Sequence, residues 1–168
     1  MSDASDTIHV LHVDDEPSLS EMVATFLERE DSRIEVRTTT SPDEGLDILA
    51  EHDVDCVVSD YDMPHTNGIE FLGTVRERYP ELPFILYTGK GSEEVASEAI
   101  SAGVTNYLQK DGGTDQYAIL ANRITNAVAG TRAEREVERT REYFGTILEH
   151  ASDYVMVVNE SGQVDYIS

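Results

Sequence analysis

Asp14 and Asp15 follow the apolar run Ile8-His9-Val10-Leu11-His12-Val13, and Asp60 follows Val54-Asp55-Cys56-Val57-Val58-Ser59. Thr88 follows Pro83-Phe84-Ile85-Leu86-Tyr87, and Lys110 closes Val104-Thr105-Asn106-Tyr107-Leu108-Gln109. Each run reads as a β-strand, and the carboxyl ends of strands in an open parallel α/β sheet share one crevice. Three carboxylates, a hydroxyl and an ammonium in that crevice suit a Mg²⁺ ion and a transferable phosphoryl group. Mg²⁺ takes oxygen ligands, typically one or two carboxylates, waters and phosphate oxygens. Asp14, Asp15 and Asp60 offer those carboxylates, directly or through water. Their mutual repulsion demands a counter-charge, because two unit charges about 4 Å apart interact by roughly 4 kcal/mol at an effective dielectric near 20. A divalent cation and Lys110 supply it. A carboxylate can also attack phosphorus and form an aspartyl phosphate. Asp60 is then the nucleophile, Mg²⁺ and Lys110 neutralise the equatorial oxygens, and Thr88 donates a hydrogen bond to one of them. Phosphoryl transfer needs mainly this positioning and charge stabilisation.

The elements that must position these residues are legible in the pattern. Strands are expected at residues 7–13, 34–38, 54–59, 84–87 and 104–108, each followed by a helix. Pro17 stands near the first position of the first helix, where its missing N–H costs nothing, and Leu19, Met22, Val23, Phe26 and Leu27 give that helix an apolar face. Ser41 and Glu44 have the spacing of a capping box. Ile69, Leu72, Val75 and Tyr79 mark a third helix. Ser92 caps a short fourth helix with Val95, Ala96, Ala99 and Ile100, ended by Gly103. The fifth begins near Thr114, with Tyr117, Leu120, Ile124 and Val128 facing inward. Five strand–helix alternations predict a doubly wound parallel sheet with helices on both faces. Strands apolar on both faces, such as 84–87, agree with that.

A chain of 168 residues holds one ordinary domain and a small remainder. No run is long and apolar enough to read as a transmembrane span, and no apolar core of a leader follows a basic N-terminus, so a cytoplasmic location is expected. Cys56, the single cysteine, cannot pair within the chain and reads as a small core residue. Asp and Glu outnumber Lys and Arg 34 to 12, for a net charge of −22. Such a surface repels duplex nucleic acid and anionic membranes. Lys90 and Lys110 are its only lysines. Acid excess with so little lysine suits a high-salt cytoplasm, where screening weakens self-repulsion, and a halophilic source is expected.

After Gly130 the chain becomes strongly charged with a helical rhythm. Ala133, Val137, Thr140, Phe144, Ile147 and Ala151 recur at alternating spacings of four and three, the 3.5-residue seam of a coiled coil. The alternative is a single amphipathic helix packed on its own domain. Residues 154–158 and 163–167 then read as two strands about the turn Asn159-Glu160-Ser161-Gly162. A lone hairpin is marginal in water, so these residues read as the opening of a further, missing domain.

Val13-Asp14-Asp15-Glu16, Val58-Ser59-Asp60-Tyr61-Asp62-Met63-Pro64, Tyr87-Thr88-Gly89 and Tyr107-Leu108-Gln109-Lys110 together resemble the receiver domain of two-component response regulators. The resemblance covers residues 7–129 and implies a flavodoxin-like sheet of order 2-1-3-4-5. It implies that Asp60 is the phosphoacceptor and that Asp14, Asp15, Asp60 and the backbone carbonyl of Asp62 hold Mg²⁺. It also implies that Thr88 is the switch hydroxyl, Lys110 the phosphate-binding lysine and Tyr107 the aromatic that changes rotamer. The phosphoryl donor would be a sensor histidine kinase, a phosphotransfer protein or a small phosphodonor. The switched face would be the fourth helix, fifth strand and fifth helix. Such a domain catalyses only its own phosphorylation and dephosphorylation. Asp62 and Lys90 occupy rim positions that influence acyl-phosphate hydrolysis in the family, and they are expected to pair across the mouth of the site. The family usually follows its lysine with a cis proline. Here Asp111 follows Lys110, and a trans bond is expected because a non-proline cis bond costs about 2.5–4 kcal/mol.

Residues 147–167 resemble the start of a PAS sensor domain. The division expected is therefore a receiver at 7–129, a charged helical linker at 130–150 that pairs two copies as a homodimer, and a truncated PAS-like hairpin at 151–168. A receiver-like binding module that is never phosphorylated, and the front of a receiver–PAS hybrid kinase, are the alternatives. A DxD phosphatase based on Asp60-Tyr61-Asp62 is disfavoured, since Pro64 stands where Thr or Val is wanted. Gly89-Lys90-Gly91-Ser92 is not a nucleotide-binding loop, since Gly91 rather than Ser or Thr follows the lysine.

Overall fold

The computed structural model describes residues 6–89, 91–150, 156–158, 161 and 164–167. The chain separates into two compact units, Met1–Thr131 and Arg132–Ser168. The first alternates β1 (Ile8–Val13), α1 (Pro17–Glu30), β2 (Ile34–Thr39), α2 (Pro42–Glu51), β3 (Cys56–Ser59), α3 (Gly68–Arg78), β4 (Phe84–Thr88), α4 (Glu93–Ser101) and β5 (Asn106–Gln109). Helix α5 follows as Asp115–His150, and β6 (Met156–Val158) pairs antiparallel with β7 (Val164–Ile167).

The five strands form one parallel sheet of order β2-β1-β3-β4-β5. This is the flavodoxin-like doubly wound arrangement, with its topological switch point between β1 and β3. Alternation along each strand divides the core in two. Val10, Val58, Ile85 and Tyr87 meet Val23 and Leu27 of α1 and Tyr117, Leu120, Ile124 and Val128 of α5. Leu11, Val13, Val57, Phe84 and Leu86 meet Leu49 of α2, Phe71, Leu72 and Val75 of α3 and Ala99 of α4. Cys56 is fully buried and unpaired, and burial pushes its thiol pKa up.

Local chemistry fixes the helix starts. The Ser41 hydroxyl accepts from Glu44 N–H at 3.2 Å, and Ser92 accepts from Val95 N–H at 3.1 Å. The reciprocal capping box occurs at α3, where Asn67 Oδ1 accepts from Glu70 N–H and Glu70 Oε2 accepts from Asn67 N–H. Gly103, at φ +90°, closes α4 in the left-handed region.

Several details depart from the sequence reading. On α1 the inward positions are Ser20, Val23 and Leu27, while Met22 is 41% exposed. Phe71, rather than Ile69, is the large buried side chain near the start of α3. On α4 only Ala99 is buried, and Ile100 is 70% exposed. Strand β3 begins at Cys56 instead of 54, because the Asp55 carboxylate takes the His9 N–H at 2.8 Å. Strand β5 runs Asn106–Gln109 instead of 104–108, because Thr105 Oγ1 takes the Phe84 N–H at 3.0 Å. In both places the residue's own N–H still bonds the neighbouring strand, Asp55 to His9 O at 2.8 Å and Thr105 to Phe84 O at 2.9 Å, while its side chain takes the N–H of that same neighbour.

Asn67 satisfies two orphan N–H groups of α3, at Ile69 and Glu70. Asn67→Ala should lower stability by about 1 kcal/mol, read as a lower urea midpoint with an unchanged slope.

Candidate functional site

The parallel register brings the strand ends together. Asp14 and Asp60 each continue a strand by one backbone bond, Asp14 N–H to Thr39 O at 3.1 Å and Asp60 N–H to Val13 O at 2.9 Å. Lys110 N–H does the same to Thr88 O at 2.8 Å. Carboxylate oxygens of Asp14, Asp15 and Asp60 lie within 4.8 Å of one another. The Lys110 ammonium sits 3.1 Å from Asp14 Oδ2 and 3.8 Å from Asp60 Oδ1. Three convergent carboxylates form a hard oxygen donor set that fits a small divalent cation such as Mg²⁺.

Asp14 is only 1% exposed. Its Oδ1 accepts from Glu16 N–H at 2.9 Å, which aims Oδ2 at Lys110. Asp15 is half-buried. Asp60 Oδ1 accepts from its neighbour's Tyr61 N–H at 2.8 Å, and Thr88, fully buried, hydrogen-bonds the same carboxylate. Burial raises the Asp60 pKa above the ordinary carboxylate value, with Asp14 adding to the rise and Lys110, Tyr61 N–H and Thr88 opposing it.

Tyr107 lies in register with Leu86 and packs on the α2–α4 face of the core. Its phenolic oxygen is buried and has no hydrogen-bond partner among the described residues. Asp62 is exposed two residues past Asp60. Lys90, expected opposite it, lies outside the described residues. Every described peptide is trans, Lys110–Asp111 included.

Other residues shape the site without having been singled out in the sequence. A Cβ on Gly68 would stand 2.2 Å from the Asp60 carbonyl oxygen and 2.7 Å from Leu86 Cδ1, so only glycine lets α3 start this close to Asp60. The signal for it was the Asn67-Gly68 step opening an apolar helix. Gln116 Oε1 accepts from the Tyr87 hydroxyl and from Asp111 N–H, the latter at 3.2 Å. The Tyr87 ring lies 5.5 Å from the Lys110 ammonium, in cation–π range. Gln116 thereby ties β4 and the Lys110-Asp111 step to the start of α5. His12 is fully buried, and neither ring nitrogen has a partner among the described residues. Burial pushes its pKa down to about 4, partly countered by Asp14, so it adds no positive charge near the carboxylates at neutral pH. Nothing in the spacing of Gln116 or His12 marks them.

The raised Asp60 pKa carries a stability consequence. Between the ordinary carboxylate value and the raised one, the folded protein holds a proton that the unfolded chain has lost. Stability therefore falls as pH rises through that window, and the whole penalty is present at neutral pH. Asp60→Asn should raise the melting temperature at pH 7 in the presence of a chelator. The gain should shrink as pH falls through the raised value toward about 4 and be lost below it, as thermal scans across pH will read.

Residues 10–121 match the response regulator receiver domain family. The chain is 26% identical over 151 residues to the response regulator SaeR of Staphylococcus epidermidis, a match covering 90% of this chain and 64% of that protein. It is 33% identical over 131 residues to a putative NtrX-like response regulator of Rickettsia conorii, covering 77% of this chain and 27% of the relative. The chain thus spans less than two thirds of these relatives. A response regulator receiver domain protein from Clostridium thermocellum superposes with a TM-score of 0.67 at 29% identity, over 75% of this chain and 98% of that one. With the strand order, the carboxylate cluster and the lysine placed as described, this chain belongs to the response regulator receiver domain family of two-component systems.

Proposed function

We propose that the chain is a Mg²⁺-dependent phosphoacceptor switch in which Asp60 receives the phosphoryl group. The observation that carries this reading is the Lys110 ammonium standing between Asp14 and Asp60, on the cluster where three carboxylates converge. Asp14, Asp15, Asp60 and the Asp62 backbone carbonyl are the residues that would hold Mg²⁺, which supplies charge neutralisation for a phosphoryl group. An Asp60 oxygen attacks phosphorus, and the bond from phosphorus to the donor's imidazole nitrogen breaks. The leaving imidazole takes up a proton from solvent. Lys110 meets the developing charge on the phosphoryl oxygens. The Thr88 hydroxyl, already a partner of the Asp60 carboxylate, turns to a phosphoryl oxygen.

Tyr107 follows Thr88. Its phenol is buried without a partner, so the inward rotamer forgoes a hydrogen bond while keeping the ring's apolar burial. This repacks the surface formed by α4, β5 and α5. The donor is a sensor histidine kinase or a phosphotransfer protein, and the chain acts in the cytoplasm. Among the described residues no helix is long and apolar enough to cross a membrane. Asp62 and Lys90 modulate the lifetime of the acyl phosphate at the rim. Residues 130–150 link the receiver to a PAS-like segment at 151–168 and pair two copies of the chain.

The acid excess supports a halophilic source, with a net charge of −22. The urea midpoint should rise between low and molar salt, and a flat or falling midpoint would count against that origin.

Intact mass after incubation with acetyl phosphate or phosphoramidate, in high salt with Mg²⁺, tests the switch. The wild type should gain one phosphate, the gain should need Mg²⁺, and Asp60→Ala should lose it. No gain on a folded protein would favour a receiver-like binding module instead.

A further inference from the structure

Helix α5 continues without a break to His150, yet every residue from Ala133 to Ile147 is exposed. Val137 is 56%, Phe144 45% and Ile147 38% exposed. In proteins most helical stability comes from packing of an apolar face, and among the described residues nothing covers these side chains. The helix's own charges are mixed: Glu134, Glu138 and Glu142, and Arg135 and Arg139, set like charges four residues apart, while Arg132/Glu136, Arg135/Glu138, Glu136/Arg139, Glu138/Arg141 and Arg139/Glu142 set opposite ones three or four apart.

We propose that residues 133–150 pair with the same segment of a second copy as a parallel, in-register, two-stranded coiled coil. The proposal rests on the self-association put forward in the proposed function, and it adds the orientation and register. With Val137 and Phe144 at the a positions of the heptad, Ala133, Thr140 and Ile147 fall at d. The outward positions are then Arg135, Glu138, Arg139, Glu142, Gly145, Thr146 and Glu149, all charged, small or polar.

Thr140 is the polar member of the seam. Its hydroxyl donates to Glu136 O in its own helix at 3.0 Å, so its donor is already satisfied and its methyl is free to enter an apolar interface. Ala133, Glu136, Val137, Thr140 and Arg141 lie together on this exposed side of the helix.

Charge selects the orientation. In a parallel pair each g residue faces the e residue five positions on in its partner. Glu136 at g therefore meets Arg141 at e, and the twofold axis gives the match twice. The next such pair, Tyr143 with Leu148, is apolar on both sides. An antiparallel pairing sets e against e and g against g, which brings Arg141 toward Arg141 and removes the match. The occupant that complements this face is thus the face itself.

Sedimentation of the full chain, with and without phosphodonor and at a salt concentration that keeps it folded, reads the pairing. The wild type should show a concentration-dependent dimer. Val137→Asp should weaken it by roughly a hundredfold, because each seam would bury an unpaired carboxylate. Phe144→Asp should do the same, and near-ultraviolet signals of the receiver should be unchanged in both. Mild oxidation of Val137→Cys and of Phe144→Cys should cross-link each to its own copy, with buried Cys56 out of reach. A monomer at every concentration overturns the proposal, as does a dimer that survives both aspartate variants. A dimer through this seam with no self-cross-link at either position overturns the parallel register. None of these outcomes depends on whether Asp60 accepts phosphate, which the mass measurement reads separately.

Discussion

A carboxylate held nearly out of water beside two others persists only if a cation meets it, and in this fold that cation is Lys110. Asp14 is almost fully buried, and the ammonium 3.1 Å away is its direct partner. Breaking a buried pair by removing one member typically costs about 3–5 kcal/mol, so the position of Lys110 constrains everything around it. The side chain reaches the cluster because β5 lies beside β4 and the backbone of Lys110 continues that pairing to Thr88. Its ammonium lies 5.5 Å from the ring of Tyr87, whose hydroxyl is fixed by Gln116. The line Asp14–Lys110–Tyr87–Gln116 thus joins the end of β1 to the first turn of α5.

That line also accounts for how a lysine followed by aspartate is held. The Asp111 N–H is available to bond because the residue is not proline, and Gln116 takes it at 3.2 Å. A side chain in the first turn of α5 therefore orders the loop through a hydrogen bond that a proline at this position could not make. Gly112 and Gly113 have open space around them, so the loop is shaped by this bond rather than by packing.

The sheet was legible because its strands are buried on both faces and bounded by turn chemistry, as at 84–87 between Pro83 and Gly89. Asp14, Asp15, Asp60, Thr88 and Lys110 were legible for a related reason: each stands at or just past the end of a strand, and a parallel sheet puts those ends on one edge. Ser41 and Ser92 were legible as caps because capping acts over three residues of sequence. What escaped depends on three-dimensional neighbours. Hydropathy favours Met22 over Ser20 as the inward residue of α1, but geometry turns Ser20 in. Apolar Ile100 falls on the outer side of a short helix whose inward contacts come from Ala99 with Val95 beside it. The strand starts at β3 and β5 shifted because Asp55 and Thr105 bond across strands with their side chains. Gly68 matters only because Asp60 stands directly behind it.

The unpaired phenol of Tyr107 gives the proposed switch its energetic basis. Keeping a buried hydroxyl without a partner costs about 1–3 kcal/mol. Burying an aromatic ring gains about 1.5–3 kcal/mol relative to exposing it. Tyr107 is only partly buried, so its ring gains less than that, and in the proposed switch the two terms of opposite sign leave the inward ring close in energy to an outward rotamer whose hydroxyl is hydrated. Tyr107 faces Leu86 across the sheet, and Thr88 is two residues further along the same strand, pointing to the same side. A shift of the Thr88 hydroxyl toward a phosphoryl oxygen changes the space on that side by a fraction of a side chain. Against a nearly balanced pair of rotamers a small change in packing is enough to alter their populations. A fully satisfied tyrosine at this position would hold one rotamer and respond to neither state.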